Sequence, residues 1–273
     1  MPDTGRAACL ALHLSGKFLT DKTRRQLETA GSVLALTRVL LAQRTDQAMV
    51  EADNLLQSLD AECVLTLADA DYPPLLREID HAPFALFLRG NRSLLSGKMV
   101  SLVGTREPST SGRLTAAQLS AHFISSGHTL VSGIARGIDA IVHHAALTGN
   151  GKTIAVLPNG FLHPYPLENR DLYMAAGASP NLLLLSEYLP DQKPQRHHFV
   201  RRNRLIAGLS PLTVVVEAGE KSGALITADF ALREGREVAA VSDTRLSHNA
   251  GGLALIADGA HDLASLVSLP QSA

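Results

Sequence analysis

Tryptophan is absent from this chain, and aromatic residues make up only 4% of it. That scarcity argues against a recognition surface built mainly on aromatic stacking. Cysteine is nearly absent too. Cys9 and Cys63 lack partners at metal-type spacing, and two cysteines imply no disulfide framework, so a reduced, cytoplasmic setting is expected. Long apolar runs are missing: no stretch approaches the ~20 residues that a bilayer span requires. Residues Ala7 to Leu14 are too short for a signal peptide, contain His13, and lack both a basic lead-in and a cleavage site. Charge of one sign is also lacking, because the formal net charge is −1. No global basic field exists. Any nucleic-acid binding must come from a local patch, with a salt dependence that scales with the phosphates contacted. Two nucleotide fingerprints are missing as well. Gly133 to Gly137 lacks the Gly-x-Gly-x-x-Gly spacing, and Gly219-Glu220-Lys221-Ser222 only echoes the end of a Gly-x-x-x-x-Gly-Lys-Ser/Thr phosphate loop. ATP hydrolysis and hydride transfer lose ground, and no cofactor is implied.

What is present is an ordinary globular balance of 45% hydrophobic and 19% charged residues over 273 positions. That length accommodates one large α/β domain and a small one. Residues 1–60 carry apolar positions at helical spacing and read as a small helical domain. Residues 61–98 read as a connecting segment with short strands at Cys63 to Leu67 and Ala85 to Leu88. From residue 99 to 273 the pattern alternates. Val100 to Val103, Thr129 to Val131, Thr153 to Leu157, Leu182 to Leu185, Thr213 to Val216 and Val238 to Val241 are short apolar runs without polar alternation, as strands buried on both faces should be. Helical segments such as Leu114 to Ile124, Ala140 to Leu147 and Leu225 to Arg233 lie between them. This alternation predicts an α/β fold, a mostly parallel sheet with helices on both faces.

In such sheets ligands bind beyond the carboxyl ends of the strands. The informative residues fall there. Gly104-Thr105-Arg106 follows one strand, and Ser132-Gly133-Ile134-Ala135-Arg136-Gly137-Ile138-Asp139 includes and follows the next. Lys221-Ser222-Gly223 comes after Glu217. Glycines allow close backbone approach, and helix starts attract anions. Arg106, Arg136, Arg170, Arg201, Arg202 and Arg204 can supply countercharge. The stretch Phe199 to Ser210 sets three arginines and Asn203 among apolar residues, which puts them on a rigid element. Together these form a phosphate-binding layout. Catalytic constellations are thin. Asp139 and His143 have the spacing of a helix-stabilising pair, Glu217 could act as a base or cap its next turn, the cap being the plainer reading, and no nucleophile, metal cluster or carboxylate pair stands out.

Taken together these blocks resemble the DNA-processing protein A (DprA/Smf) family. The resemblance runs from about Asp71-Tyr72-Pro73 to Gly259-Ala260. It rests on Val103 to Arg106, Ser132 to Asp139 with His143, Gly160 followed by Tyr165-Pro166-Leu167-Glu168-Asn169, Phe199 to Ser210, and Glu217 to Ala228. The resemblance implies a Rossmann-like sheet preceded by a small helical, SAM-like domain. It implies a homodimer that binds single-stranded DNA and loads RecA recombinase onto it in natural transformation, with no catalytic role. Carried over, the DNA site would comprise Gly104, Thr105, Arg106, Ser132, Gly133, Ala135, Arg136, Gly137, Asn169 and Arg170. Arg201, Arg202, Asn203, Arg204, Ser222 and Gly223 would complete it. Departures from the pattern are Thr105 for the usual Ser and Ser242-Asp243 for the usual Pro-Gly, the latter adding negative charge near the site. A C-terminal winged-helix module common in the family is expected to be lacking. The alternative is a nucleotide-processing enzyme or a nucleotide sensor like the lysine-decarboxylase-like (LOG) proteins, whose Pro-Gly-Gly-x-Gly-Thr loop is missing here.

Overall fold

A computed structural model describes residues 4–60, 63–243 and 245–267. The chain divides into two compact units, Met1–Leu88 and Arg89–Ala273. The expected boundary after residue 60 falls beside residues 61–62, which lie outside the described residues.

The first unit contains helices α1 (Thr4–Leu14), α2 (Asp21–Ala30), α3 (Val33–Leu41) and α4 (Thr45–Ser58). Their starts and stops are encoded locally. Thr20 caps α2 in a reciprocal box with Thr23, and Gly31 ends that helix in the left-handed conformation at φ 75°. Helix α1 packs against α3 and α4 through a wholly buried run, Ala7 to Leu12. Strand β2 (Val64–Thr66) pairs antiparallel with β4 (Ala85–Gly90), and the short helix α5 (Pro74–Glu78) lies between them in sequence. A second, two-residue pairing joins β1 (Phe18–Leu19), inside the segment that reads as helical, to β3 (Ala82–Pro83), inside the connecting segment 61–98. Two residues are too few to leave a periodic signal.

The second unit carries the parallel sheet foreseen from the sequence. Its strands are β5 (Met99–Val103), β6 (Thr129–Ser132), β7 (Lys152–Leu157), β8 (Leu182–Ser186), β9 (Leu212–Val215), β10 (Glu237–Ala240) and β11 (His261–Asp262). Within the unit they lie in the order β11-β10-β9-β5-β6-β7-β8, each neighbouring pair parallel. The connecting helices are α6 (Thr110–Ser125), α7 (Ile138–Thr148), α8 (Arg170–Ala175), α9 (Arg196–Leu209), α10 (Gly223–Arg233) and α11 (Ala250–Ala257). Strand alternation sorts the two faces. Val100 and Leu102 join Leu119 and Phe123 of α6 and Val142 of α7 in one core. Ser101 points the other way, where its hydroxyl donates to the carbonyl of Ile206 on α9 at 2.7 Å. The chain builds outward from β5 to β8, then returns to β5's other edge as β9. Loops after β5 and β9 therefore diverge, and a crevice opens between them.

One buried polar group in this core is titratable. His143 on α7 is fully buried, its Nδ1 2.7 Å from Thr153 Oγ1. The Thr153 hydroxyl already donates to Leu130 O at 2.9 Å, so Nδ1 of His143 carries the proton and donates. Among the described residues its buried Nε2 meets no hydrogen-bond partner. Burial, with lesser contributions from His144 and Arg202, drives the imidazole down from 6.5 to about 3. The unfolded chain thus binds this proton at higher pH than the folded one. The site's contribution to stability is complete above pH 6.5 and is lost as pH falls toward 3. Urea midpoints of the parent protein should therefore decline below pH 6.5 more steeply than those of His143→Gln. Parallel declines would refute this account.

Candidate nucleic-acid interface

The loop after β6 is held in an unusual backbone path. Ile134, β-branched and buried, has φ 58°, and Gly137 has φ 76°. A buried β-branched residue in the left-handed region persists only where its surroundings over-determine it. Asp139, in the first turn of α7, accepts from the N–H groups of Gly133 at 3.2 Å and Ala135 at 3.3 Å. The Asn169 amide donates to the carbonyls of Ile134 at 2.8 Å and Ala135 at 3.1 Å. Arg202 of α9 donates through Nη1 to the carbonyls of Gly133 and Val156. Two glycines make this possible. A Cβ on Gly137 would fall 2.4 Å from Thr105 O, and one on Gly133 would fall 2.5 Å from Arg202 Nη1.

Asp139 and Arg202 brace this loop from opposite sides of its hydrogen bonding, Asp139 accepting from its amides and Arg202 donating to its carbonyl, and both are buried. Burial raises the Asp139 carboxyl above its ordinary range, opposed chiefly by Arg202. Burial likewise lowers the Arg202 guanidinium to about 10, opposed chiefly by Asp139, so it stays charged at any working pH. The spacing of Asp139 and His143 predicts a helix-surface pair. Instead, Asp139 turns to the loop amides and His143 to Thr153. Glu217 also departs from its expected role as a cap of its own turn. Its buried carboxylate accepts from the N–H groups of Ser109 at 2.9 Å and His248 at 3.3 Å, tying together the loops that follow β5 and β10.

The crevice between the loops after β5 and β9 holds a cavity of about 690 Å³. Gly104, Thr105, Arg106, Ala135, Arg202 and Asn203 line it, as do Ser222 and Gly223. Lys221 and His248 line it as well. A smaller neighbour of about 250 Å³ is lined by Gly133, Arg136 and Tyr165, and shares Arg106, Glu107, Ala135, Phe199 and Arg202 with the first. Arg106 is exposed, its guanidinium 5.9 Å from the centroid of the Phe199 ring. Ser222 caps α10 by accepting from Ala224 N, and the Asn203 amide donates to Gly223 O at 3.4 Å.

The remaining candidates do not line the larger cavity. Helix periodicity divides the arginines of α9. Phe199, Arg202, Asn203 and Ile206 follow the i, i+3, i+4, i+7 pattern and face the cavity. Arg201 and Arg204 turn instead to the buried Glu187, at 3.5 and 2.6 Å. Arg170 is exposed at the start of α8 and lines neither cavity, and Arg136 sits 3.3 Å from Glu168. Ser132 is buried, its hydroxyl donating to Leu102 O at 2.7 Å, and Asn169 is buried beneath the loop it braces. The amides of Gly133 and Ala135, expected as donors to an anion, are occupied by Asp139. Among the described residues neither Ser242 nor Asp243 lines the larger cavity. Hydrogen bonds from Arg245 hold the Asp243 carboxyl below its usual range. Sequence reasoning passed over Glu107, Phe199 and His248 as site residues, and noted Lys221 at its strand end without placing it in the DNA site. The helical spacing on α9 carried the signal for Phe199.

This architecture, a parallel sheet whose strand order reverses beneath a cation-lined crevice, is the Rossmann-like class of ligand-binding domain. The model of the DNA recombination-mediator protein A family matches residues 63–271, and the chain belongs to that family. It is 42% identical over 198 residues to the DNA processing protein DprA of Bacillus subtilis, covering 72% of this chain and 66% of that protein. It is 42% identical over 208 residues to the protein Smf of Synechocystis, covering 74% and 51%. The chain thus spans between about half and two thirds of the length of these relatives. The crystal structure of Streptococcus pneumoniae DprA superposes with a TM-score of 0.72 at 31% identity, covering 97% of this chain and 94% of that one. Helicobacter pylori DNA processing protein A, described for its unique single-stranded DNA binding mode, superposes with a TM-score of 0.67 at 28% identity over 74% and 92%. Among the described residues no helix is long and apolar enough to cross a membrane.

The clamp makes a graded prediction. Asp139→Ala strips the amides of Gly133 and Ala135 of their buried acceptor and should cost about 1–3 kcal/mol, read as a fall in the urea midpoint. Asp139→Asn keeps an acceptor for the loop and should cost less. Equal stability of both variants and the parent would show that the clamp carries no weight.

Proposed function

We propose that this protein binds single-stranded DNA along the crevice between the loops after β5 and β9 and acts as a recombination mediator, delivering RecA recombinase onto that strand during natural transformation. The observation that carries the reading is that two exposed cations, Arg106 from the loop after β5 and Lys221 from the loop after β9, line one cavity. Arg202 stands buried behind them as fixed positive charge. Such an arrangement favours a sugar–phosphate chain, because phosphate contact is strong and independent of sequence. The described binding mode of the Helicobacter pylori relative supports the choice of an unpaired strand. RecA, a homodimeric state and a cytoplasmic setting come from the family resemblance and belong to the same proposal. A binding role, not a catalytic one, is favoured because Asp139 and Glu217, the buried carboxylates nearest the crevice loops, are each committed to backbone amides. An acid held this way is poorly placed to take a substrate's proton.

A salt series of oligo-dT binding followed by fluorescence anisotropy tests the assignment. Arg106→Ala and Lys221→Ala should each weaken binding and flatten the slope of log K against log salt by about 0.7 for each phosphate no longer neutralised. Arg204→Ala should leave that slope intact, since its guanidinium is engaged with Glu187. Unaltered slopes in both cavity variants would overturn the proposal. Release of free base from nucleoside monophosphates would favour the nucleotide-processing alternative.

A further inference from the structure

The larger cavity is lined by cations and by two carboxylates, the buried Asp139, which is engaged with loop amides, and the exposed Glu107. Glu107 lines both cavities and is exposed, immediately after Arg106, which also lines both. Its backbone N–H donates to Thr105 Oγ1 at 3.2 Å, which ties Glu107 to the loop after β5. Among the described residues no ion pair engages its side chain. A carboxylate beside a phosphate-binding rim repels the phosphate unless a donor answers it. The smaller cavity indicates where that donor would come from. Pro158, Pro166, Tyr165 and Phe199 supply its apolar walls, the two aromatic rings meeting edge-to-face with centroids 5.4 Å apart. At about 250 Å³ it suits a single flat group more than a run of chain.

We propose that Glu107 reads base identity, accepting hydrogen bonds from the Watson–Crick edge of an unpaired guanine seated in the smaller cavity, so that this protein prefers guanine within single-stranded DNA. The inference rests on the single-strand reading above and deepens it. An ionised carboxylate only accepts, and its two oxygens suit two adjacent donors. Guanine alone among the bases offers them, N1–H and the N2 amino group. Thymine presents one N–H between two carbonyls, which would face the carboxylate unfavourably. Cytosine and adenine each set a single amino group beside an acceptor nitrogen. Unpaired bases are recognised along such edges when they are splayed from the strand. This recognition would leave the phosphate to Arg106 and Lys221 and add a preference to an otherwise sequence-tolerant grip.

The test is competition against labelled oligo-dT, in chelator, by unlabelled oligo-dT carrying one central dG, one dA or one deoxyinosine, which lacks the N2 amino group. The dG strand should compete about tenfold better than all-dT, deoxyinosine should fall between, and dA should match all-dT. Glu107→Gln and Glu107→Ala should each bring the dG-to-dT ratio close to one, whatever happens to their absolute affinity. Equal competition by all strands on the parent protein overturns the inference while leaving the single-strand reading intact. A guanine preference that survives both substitutions also overturns it. Failure to bind labelled oligo-dT at all overturns the single-strand reading and this inference together.

Discussion

The guanidinium of Arg202 is the point on which the second unit's site converges. It lies buried at the carboxyl ends of β6 and β7, donating to the carbonyls of Gly133 and Val156, in the same loop enclosure as the buried Asp139. An unmatched cation in that place would be very costly, so its surroundings are constrained to answer it. Asp139 in turn collects the amides of Gly133 and Ala135. The strained path at Ile134 is thereby locked from both sides, with Asn169 completing the enclosure from the helix α8 side. Charge, loop geometry and strand ends are coupled through one side chain.

This coupling divides labour at the crevice. The buried polar groups, Asp139, Asn169, Arg202 and Glu217, are all spent on backbone hydrogen bonds and build a rigid frame. The side chains that project from the frame, Arg106, Glu107 and Lys221, remain exposed and long. A rigid frame with projecting charges lowers the ordering cost of gripping a flexible strand, since fewer protein groups must be immobilised on binding. It also explains how a chain with almost no net charge can present a local cationic crevice: many other charges are matched in pairs such as Arg204 with Glu187 and Arg136 with Glu168.

Much of the fold was legible in the sequence because buried parallel strands leave a strong mark. Runs such as Leu182 to Leu185 and Thr153 to Leu157 have no polar alternation, and the intervening helices carry clear periodicity. Each of the six runs read from residue 99 onward matches an observed strand to within about a residue at either end, while the two-residue β11 (His261–Asp262) had no run to announce it. The pairing of Phe18–Leu19 with Ala82–Pro83 was illegible, being too short for any period. The site was legible in part. Glycines and arginines at strand ends pointed to the right edge of the sheet. Their individual allegiances were hidden, since neighbouring arginines read as one cluster until the helix turns Arg202 inward and Arg201 and Arg204 toward Glu187.

What the sequence by itself determined is the order of strands and helices, the edge of the sheet where a ligand belongs, and the family. These follow from local patterns of apolar residues, glycines and motif blocks, each readable within a few residues. Only the tertiary structure decided which charges face solvent and which are consumed. That choice depends on partners far apart in the chain: Arg202 with Gly133 and Val156, Glu217 with Ser109 and His248, Asn169 with Ile134. A hydrogen bond is satisfied by whatever the fold brings within about 3 Å, and no spacing along the sequence records that proximity.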